Sequence, residues 1–73
     1  MTRDVGVLKV AIQNQMRAEL IKDGKQYLKD GSITELELYD WRGRYEAYHS
    51  LGKNGVLDTL NEEIINLAIH ADT

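Results

Sequence analysis

The sequence contains no cysteine and no proline. The lack of cysteine excludes disulfide bonds and thiolate metal sites, on which small domains often depend. The two histidines, His49 and His70, lie far apart in the sequence, so a dedicated zinc site is not predicted. A chain of 73 residues forms at most one domain with a small core. We therefore expect a single domain, residues 1–73, that relies on tight helix packing or on self-association.

A long hydrophobic run is also missing from the sequence. A membrane-spanning helix needs roughly 20 consecutive apolar residues, and no segment approaches that length. The first residues lack a continuous apolar stretch and a small-residue cleavage site, so no secretory signal is predicted. With 42% hydrophobic and 29% charged residues, the composition indicates a soluble globular domain rather than a disordered chain.

The net charge of −3 is unevenly distributed along the chain. Residues 1–29 contain six basic and three acidic residues, a net charge of +3, whereas residues 30–73 contain three basic and nine acidic residues, a net charge of −6. This asymmetry predicts attraction between the two parts, either across the fold or between protomers. A nucleic-acid-binding face would need a denser basic cluster.

The first of three amphipathic stretches, about residues 4–29, predicts a long helix. Apolar residues or glycine recur there every four residues, which is a helical spacing rather than the alternation of a strand. Gly24 lies on this stripe and costs about 1 kcal/mol relative to alanine. Either another helix or an aromatic ring approaches closely at Gly24, or the helix kinks or frays there. The stripe consists of Leu8, Ile12, Met16, Leu20, Gly24 and Leu28.

A turn and a capping motif separate the first stretch from the second. The turn signal is Asp30–Gly31. Thr34 and Glu37 have the spacing of a capping box, in which each side chain binds the backbone N–H of the other residue. A second helix is therefore predicted over residues 35–51. Gly43 falls inside this helix but off its apolar stripe, and the sequence gives no packing reason for it.

A second glycine-containing break precedes the third stretch. Gly52 directly follows the second helix and predicts a left-handed glycine cap. Asn54 is expected to cap the third helix, with Gly55 in its first turn. The predicted fold is therefore all-α, a helical hairpin plus a short third helix, with helices at about residues 4–29, 35–51 and 56–69.

Two segments resemble ligand-binding loops without meeting the requirements of these loops. The segment 30–37 has the glycine and glutamate spacing of the second half of an EF-hand, but an earlier ligand position falls on Leu28, which has no side-chain oxygen. A turn with a capping box is therefore favoured over weak cation binding. The segment 52–55 lacks the spacing and the preceding strand of a phosphate-binding P-loop, so a helix-to-helix turn is favoured. No metal or cofactor is predicted.

His49 is the one candidate for acid–base chemistry in the second helix. It lies three residues after Glu46, and such a pair could transfer protons. No serine or cysteine nucleophile stands at a motif position beside the pair. Near the end of a helix, a cationic His49 would also interact favourably with the helix dipole. A structural role is therefore favoured, and the sequence predicts neither a catalytic residue nor an enzyme.

Four of the five aromatic residues fall in the predicted second helix. They are either core residues or anchors of a protein–protein interface, where tyrosine and tryptophan are favoured. Tyr39 lies off the main stripe and is the best candidate for a partner contact. The full set of candidate partner-binding residues is Tyr39, Trp41, Tyr45, Tyr48, His49 and Lys53.

The most distinctive segment of the chain has the pattern Tyr-x-x-Tyr-His-x-Leu-Gly-x-Asn-Gly, formed by Tyr45, Tyr48, His49, Leu51, Gly52, Asn54 and Gly55. It resembles the signature of short, mostly uncharacterised helical proteins of tailed phages and prophages of Gram-positive bacteria. The wider resemblance covers about residues 11–67. This chain departs from the pattern at Lys53, where such proteins tend to have glycine.

The resemblance implies an accessory protein of phage late or host-interaction genes and no catalytic residue. The leading hypothesis is a non-enzymatic protein that acts through protein–protein contacts, in virion assembly or beside the lysis genes. Its partner would be a phage structural protein or a host protein, self-association is expected, and nucleic acid is not favoured. It would reside in the host bacterial cytoplasm or on the virion. The alternatives are a host-directed inhibitor with an acidic helical surface and a small DNA-binding regulator that uses the basic first helix.

Overall fold

The computed structural model describes residues 5–52 and 55–70, and all regular elements of this part are helices. Helix α1 spans Val5–Asp30, α2 spans Glu35–Ser50, and α3 spans Asp58–His70, with a 3₁₀ turn at Gly55–Leu57 before it. The all-α prediction is confirmed, and the helix boundaries agree with the predicted ones to within two residues. None of the described helices combines the length and apolarity that crossing a membrane requires.

The connection between α1 and α2 has the local structure that the sequence predicts. Gly31 adopts a left-handed conformation with φ +71°, and its N–H donates to the carbonyl of Tyr27 at 2.9 Å. The backbone N–H of Thr34 donates to Glu37 Oε1 at 2.8 Å, and that of Glu37 donates to Thr34 Oγ1 at 3.1 Å. The capping box is therefore present, and it determines where α2 begins.

The end of α2 differs from the prediction. Leu51 is the cap residue, with right-handed φ −76° and ψ −17°. Gly52 does not have a positive φ, so the predicted left-handed cap at Gly52 is wrong. The backbone N–H of Gly52 instead donates to the carbonyl of His49 at 3.3 Å, which continues the turn of the helix. The predicted cap residue Asn54 lies outside the described residues.

The core lies where the three helices meet. Trp41 and Tyr48 of α2 are fully buried, and the Trp41 indole N–H donates to Asn61 Oδ1 of α3 at 3.0 Å. The ring of Tyr27 packs edge-on against Trp41, with 6.5 Å between the ring centroids. The fully buried residues are Leu20, Trp41, Tyr48, Leu57 and Ile64.

Gly24 explains how α3 comes so close to the hairpin. A Cβ atom placed on Gly24 would lie 2.9 Å from Leu60 Cδ2 and 2.9 Å from Trp41 Cη2, closer than side chains pack. Of the two alternatives, close approach is therefore correct, and α1 continues without interruption through Gly24 to Asp30. The contact involves both a neighbouring helix and an aromatic ring.

Candidate protein–protein interface

The structure divides the predicted partner-binding residues between core and surface. Trp41 and Tyr48 are completely buried within the chain, so in this conformation their side chains are not accessible to a partner. This position matches the core interpretation of the two residues. His49 and Tyr39 are exposed, and Lys53 lies outside the described residues.

Tyr45 connects α2 to the start of α3. Its half-buried side chain donates a hydrogen bond from the hydroxyl to Asp58 Oδ1. This hydrogen bond, together with burial and the charges of Asp58 and Glu62, raises the pKa of Tyr45 from 10.0 to about 12. The hydroxyl therefore stays protonated over the whole physiological range, and its role in the fold is to hold the two helices together.

His49 and Glu46, the candidate acid–base pair, are both exposed on α2. The imidazole of His49 contacts the ring of Tyr45 instead, with 5.8 Å between the ring centroids. No hydrogen bond joins His49 to Glu46 in the described part of the chain. The geometry therefore gives no support to the proton-transfer pair.

The segment with EF-hand-like spacing has its polar groups engaged in local structure. Glu37 binds the backbone of Thr34, and the side-chain amide of Gln26 donates to Asp30 Oδ1 at 2.9 Å. Among residues 5–52 and 55–70, no three His, Asp or Glu side chains form a group suited to a metal ion. The favoured interpretation, a turn with a capping box, is confirmed for this segment.

The outer face of α2 presents a groove. Leu36 and Tyr39 are each 82% exposed, and their spacing of three residues puts both on one face of the helix. At Gly43, one turn after Tyr39, an added Cβ would meet no atom within 4 Å, so the helix surface is open at that point. The residues that line the groove are Glu35, Leu38, Tyr39, Arg42, Gly43 and Glu46.

A second apolar surface lies on the first turns of α1. The end of α2 reaches the level of Gln13, whose Nε2 would lie 3.4 Å from a Cβ on Gly52. All residues in the range 6–12 are exposed, including Leu8 at 55% and Ile12 at 51%. The four-residue stripe of the sequence continues to these two residues, but at this end of α1 it does not join the core.

The reason lies in the geometry of the four-residue repeat. Four residues turn an α-helix by about 400°, so a stripe of this period rotates by roughly 40° at each step. Between Leu28 and Leu8 there are five such steps, and the stripe therefore moves to about the opposite side of the helix. The surface formed by Leu8, Ala11 and Ile12 is here called the α1 apolar surface.

The electrostatic asymmetry of the chain is not neutralised by ion pairs between α1 and α2. Arg44 of α2 binds Asp23 of α1 at 2.8 Å and Asp40 of its own helix at 2.9 Å. Partial burial lowers the pKa of Arg44, but the hydrogen bonds and charges of the two aspartates outweigh burial and raise it. Within the described residues this Arg44–Asp23 pair is the only ion pair between helices, and its cation lies on the acidic helix.

No family model, no curated protein and no solved structure matches the chain. The interpretation of its surfaces therefore rests on the geometry and on the physical chemistry of the residues that form them.

The outer face of α2 contains residues that the sequence did not single out. Tyr39 was predicted as a partner contact from its position off the stripe, whereas Leu36 was not selected, and Gly43 had no explanation. The spacing of Leu36, Tyr39 and Gly43, three and then four residues apart, puts them on one face of a helix. That spacing is the signal from which the groove could have been predicted.

Proposed function

We propose that the protein is a small non-enzymatic helical adaptor whose α2 groove binds an apolar helix of a protein partner. The observation that carries this proposal is the 82% exposure of both Leu36 and Tyr39 beside the open surface at Gly43. Tyrosine is a frequent anchor of interfaces, the buried centre of an interface is enriched in apolar area, and a glycine allows a partner helix to approach closely. The phage resemblance supports a role in virion assembly or beside the lysis genes.

The rest of α2 is consistent with a binding surface on a rigid support. The helix is fixed at its start by the capping box and along its inner face by the buried Trp41 and Tyr48. Exposed side chains on such a helix keep their relative positions without a partner, which reduces the entropy lost on binding. The groove is thus preorganised by the core on the other side of α2.

A photo-crosslinking amino acid at Tyr39 tests the adaptor function. In lysate of the native host, we expect a covalent adduct with a defined protein from position 39 and none from position 63, because Glu63 is exposed on a different helix, α3. Equal labelling from both positions, or no adduct from either, would contradict the proposal. The Leu36→Ser variant, with the probe still at position 39, should reduce the adduct because it removes an apolar anchor beside the probe.

The host-directed inhibitor is the second candidate, favoured by the exposed carboxylates of Glu35, Glu46, Glu62 and Glu63. Charge-based binding to a basic site weakens as salt rises, because the Debye length falls to about 3 Å at 1 M ionic strength. An apolar groove keeps its partner under the same conditions. Loss of the crosslink at Tyr39 in high salt would therefore favour the inhibitor, and its persistence would favour the adaptor.

A further inference from the structure

The α2 groove and the α1 apolar surface are complementary to each other in shape and in charge. The groove offers Tyr39 and the open position at Gly43, with Leu36 exposed beside it on the same face of α2. The α1 apolar surface offers Leu8 and Ile12, exposed by 55% and 51%. The α1 apolar surface is therefore a helix with projecting aliphatic side chains, and the outer face of α2 has open space one turn beyond its exposed side chains.

The charges around the two surfaces are opposite. Lys9 is the only charged residue among residues 5–16 of α1, whereas Arg17, nine residues after Leu8, lies on the opposite side of the helix. Helix α2 carries four acidic residues and two basic ones. Pairing of two α1 apolar surfaces would bring like charges together, whereas pairing of an α1 apolar surface with an α2 groove brings opposite charges together. Electrostatics thus favours the second pairing over the first.

The two surfaces cannot meet within one chain. Helix α2 runs back along α1, so that Gly52, two residues after the end of α2, lies beside Gln13, while the start of α2 lies beside the end of α1. The groove at Leu36 and Tyr39 is therefore at the far end of the hairpin from Leu8. The α1 apolar surface and the α2 groove can therefore contact each other only when two copies of the chain meet.

Both surfaces face away from α3. Successive residues of an α-helix are rotated by about 100°, which places Leu8 and Ile12 roughly 120–160° from Gly24, where α3 contacts α1. The same rotation places Leu36, Tyr39 and Gly43 roughly 140–160° from Trp41, which binds Asn61 of α3. The two surfaces therefore lie on the same uncovered side of the hairpin.

We infer that a second copy of this chain occupies the α2 groove, with its α1 apolar surface against Leu36, Tyr39 and Gly43. Two copies related by a two-fold axis, with their hairpins crossed and running in opposite directions, make this contact twice in one closed dimer. The inference rests on the proposed function, since it names the partner of the same groove. It also gives a reason for Gly43, which has no close neighbour within its own chain.

The absence of cysteine permits a direct test by disulfide trapping. Chains carrying only Ile12→Cys are mixed with chains carrying only Gly43→Cys and oxidised mildly, and the two chains are distinguished by mass. We expect the 12–43 disulfide between chains as the main product. In a control mixture, Ile12→Cys with Ile69→Cys, we expect no crosslink above background, because Ile69 is exposed near the end of α3, which the dimer does not cover.

Sedimentation equilibrium of the unmodified chain completes the test. We expect a dimer whose dissociation constant rises about tenfold or more in Leu36→Ser and Tyr39→Ser and stays unchanged in Ile69→Ser. Circular dichroism confirms that each variant is helical.

A predominant 12–12 disulfide would overturn the inference, and so would a mass that grows beyond the dimer or stays at the monomer. A monomer that still crosslinks from Tyr39 to another protein would leave the adaptor function standing and remove only the second copy as its partner.

Discussion

The Tyr48 hydroxyl is a polar group in the core that has no hydrogen-bond partner among the described residues. Burying such a group costs about 1–3 kcal/mol, and the phenylalanine side chain has the same shape without it. We therefore expect Tyr48→Phe to raise the free energy of unfolding by about 1 kcal/mol, measured by urea denaturation.

Tyr45→Phe is the matched control for this substitution, because the Tyr45 hydroxyl donates to Asp58. It should lower the free energy of unfolding by about 1 kcal/mol. If both tyrosine-to-phenylalanine changes destabilised the protein equally, the Tyr48 hydroxyl would have a partner that the described contacts do not contain.

The pKa of Tyr45 is raised from 10.0 to about 12, chiefly by the hydrogen bond to Asp58. This shift makes the stability of the fold depend on pH in the alkaline range. The unfolded chain loses the phenolic proton near pH 10, whereas the folded chain keeps it to about pH 12. Between these values the unfolded state binds fewer protons, so the free energy of unfolding falls as pH rises. We expect denaturation at pH 9 to 12 to show this fall.

Tyr27 contributes to the same trend, because burial and then the charges of Glu37 and Asp23 raise its pKa as well. The Tyr45→Phe variant isolates the contribution of Tyr45 by difference. Its stability should decline less steeply with pH than that of the wild-type chain. Parallel profiles for the two proteins would show that the Tyr45 hydroxyl is not held by Asp58 in solution.

At the scale of the helix, replacement by alanine should have opposite effects on stability at two glycines that lie inside helices. Alanine at Gly24 would place its Cβ 2.9 Å from Leu60 and from the rigid Trp41 ring, whereas alanine at Gly43 would meet nothing within 4 Å. Overpacking costs about 1–3 kcal/mol, and the gain in helix propensity is about 1 kcal/mol. In dilute solution, we expect Gly24→Ala to destabilise the fold by about 1 kcal/mol.

Gly43→Ala should stabilise the fold by about 0.5–1 kcal/mol under the same conditions, because it gains helix propensity without a clash. Thermal and urea denaturation of both variants measure the two effects. Stabilisation by alanine at both positions would mean that α3 packs less closely on Gly24 than the structure shows.

The elements of the fold were predictable where local chemistry determines them. Thr34 and Glu37 form a capping box within four residues of sequence, and it is present as predicted. The close approach at Gly24 was one of two predicted alternatives, since a glycine on an apolar stripe either permits contact or breaks the helix. The sequence alone does not decide between them, because the neighbours Leu60 and Trp41 come from other helices.

The errors arise where a local pattern was extended beyond its range. Gly52 follows the last periodic residue, but a glycine permits a left-handed cap without requiring it, and the chain continues in a right-handed turn. Leu8 and Ile12 share a four-residue spacing with the core, yet rotation of that spacing and the end of α2 near Gln13 leave them exposed. The α1 apolar surface could therefore be located only once the end of α2 was known, whereas Tyr39 was predicted from the sequence as a partner contact.

At the scale of the whole molecule, self-association should be visible as thermal stability that depends on protein concentration. A dimer that forms only from folded chains shifts the unfolding equilibrium by mass action, so its Tm rises as the chain is concentrated. For a domain of this size, we expect roughly 2–5 °C for each tenfold increase in concentration. The Leu36→Ser, Tyr39→Ser double variant should have a Tm independent of concentration, because it lacks both groove anchors. Ile69→Ser, which removes from α3 an apolar side chain that is 62% exposed, should retain the dependence. A wild-type Tm that stays constant from micromolar to millimolar concentration would show that the α1 apolar surface and the α2 groove do not meet between copies.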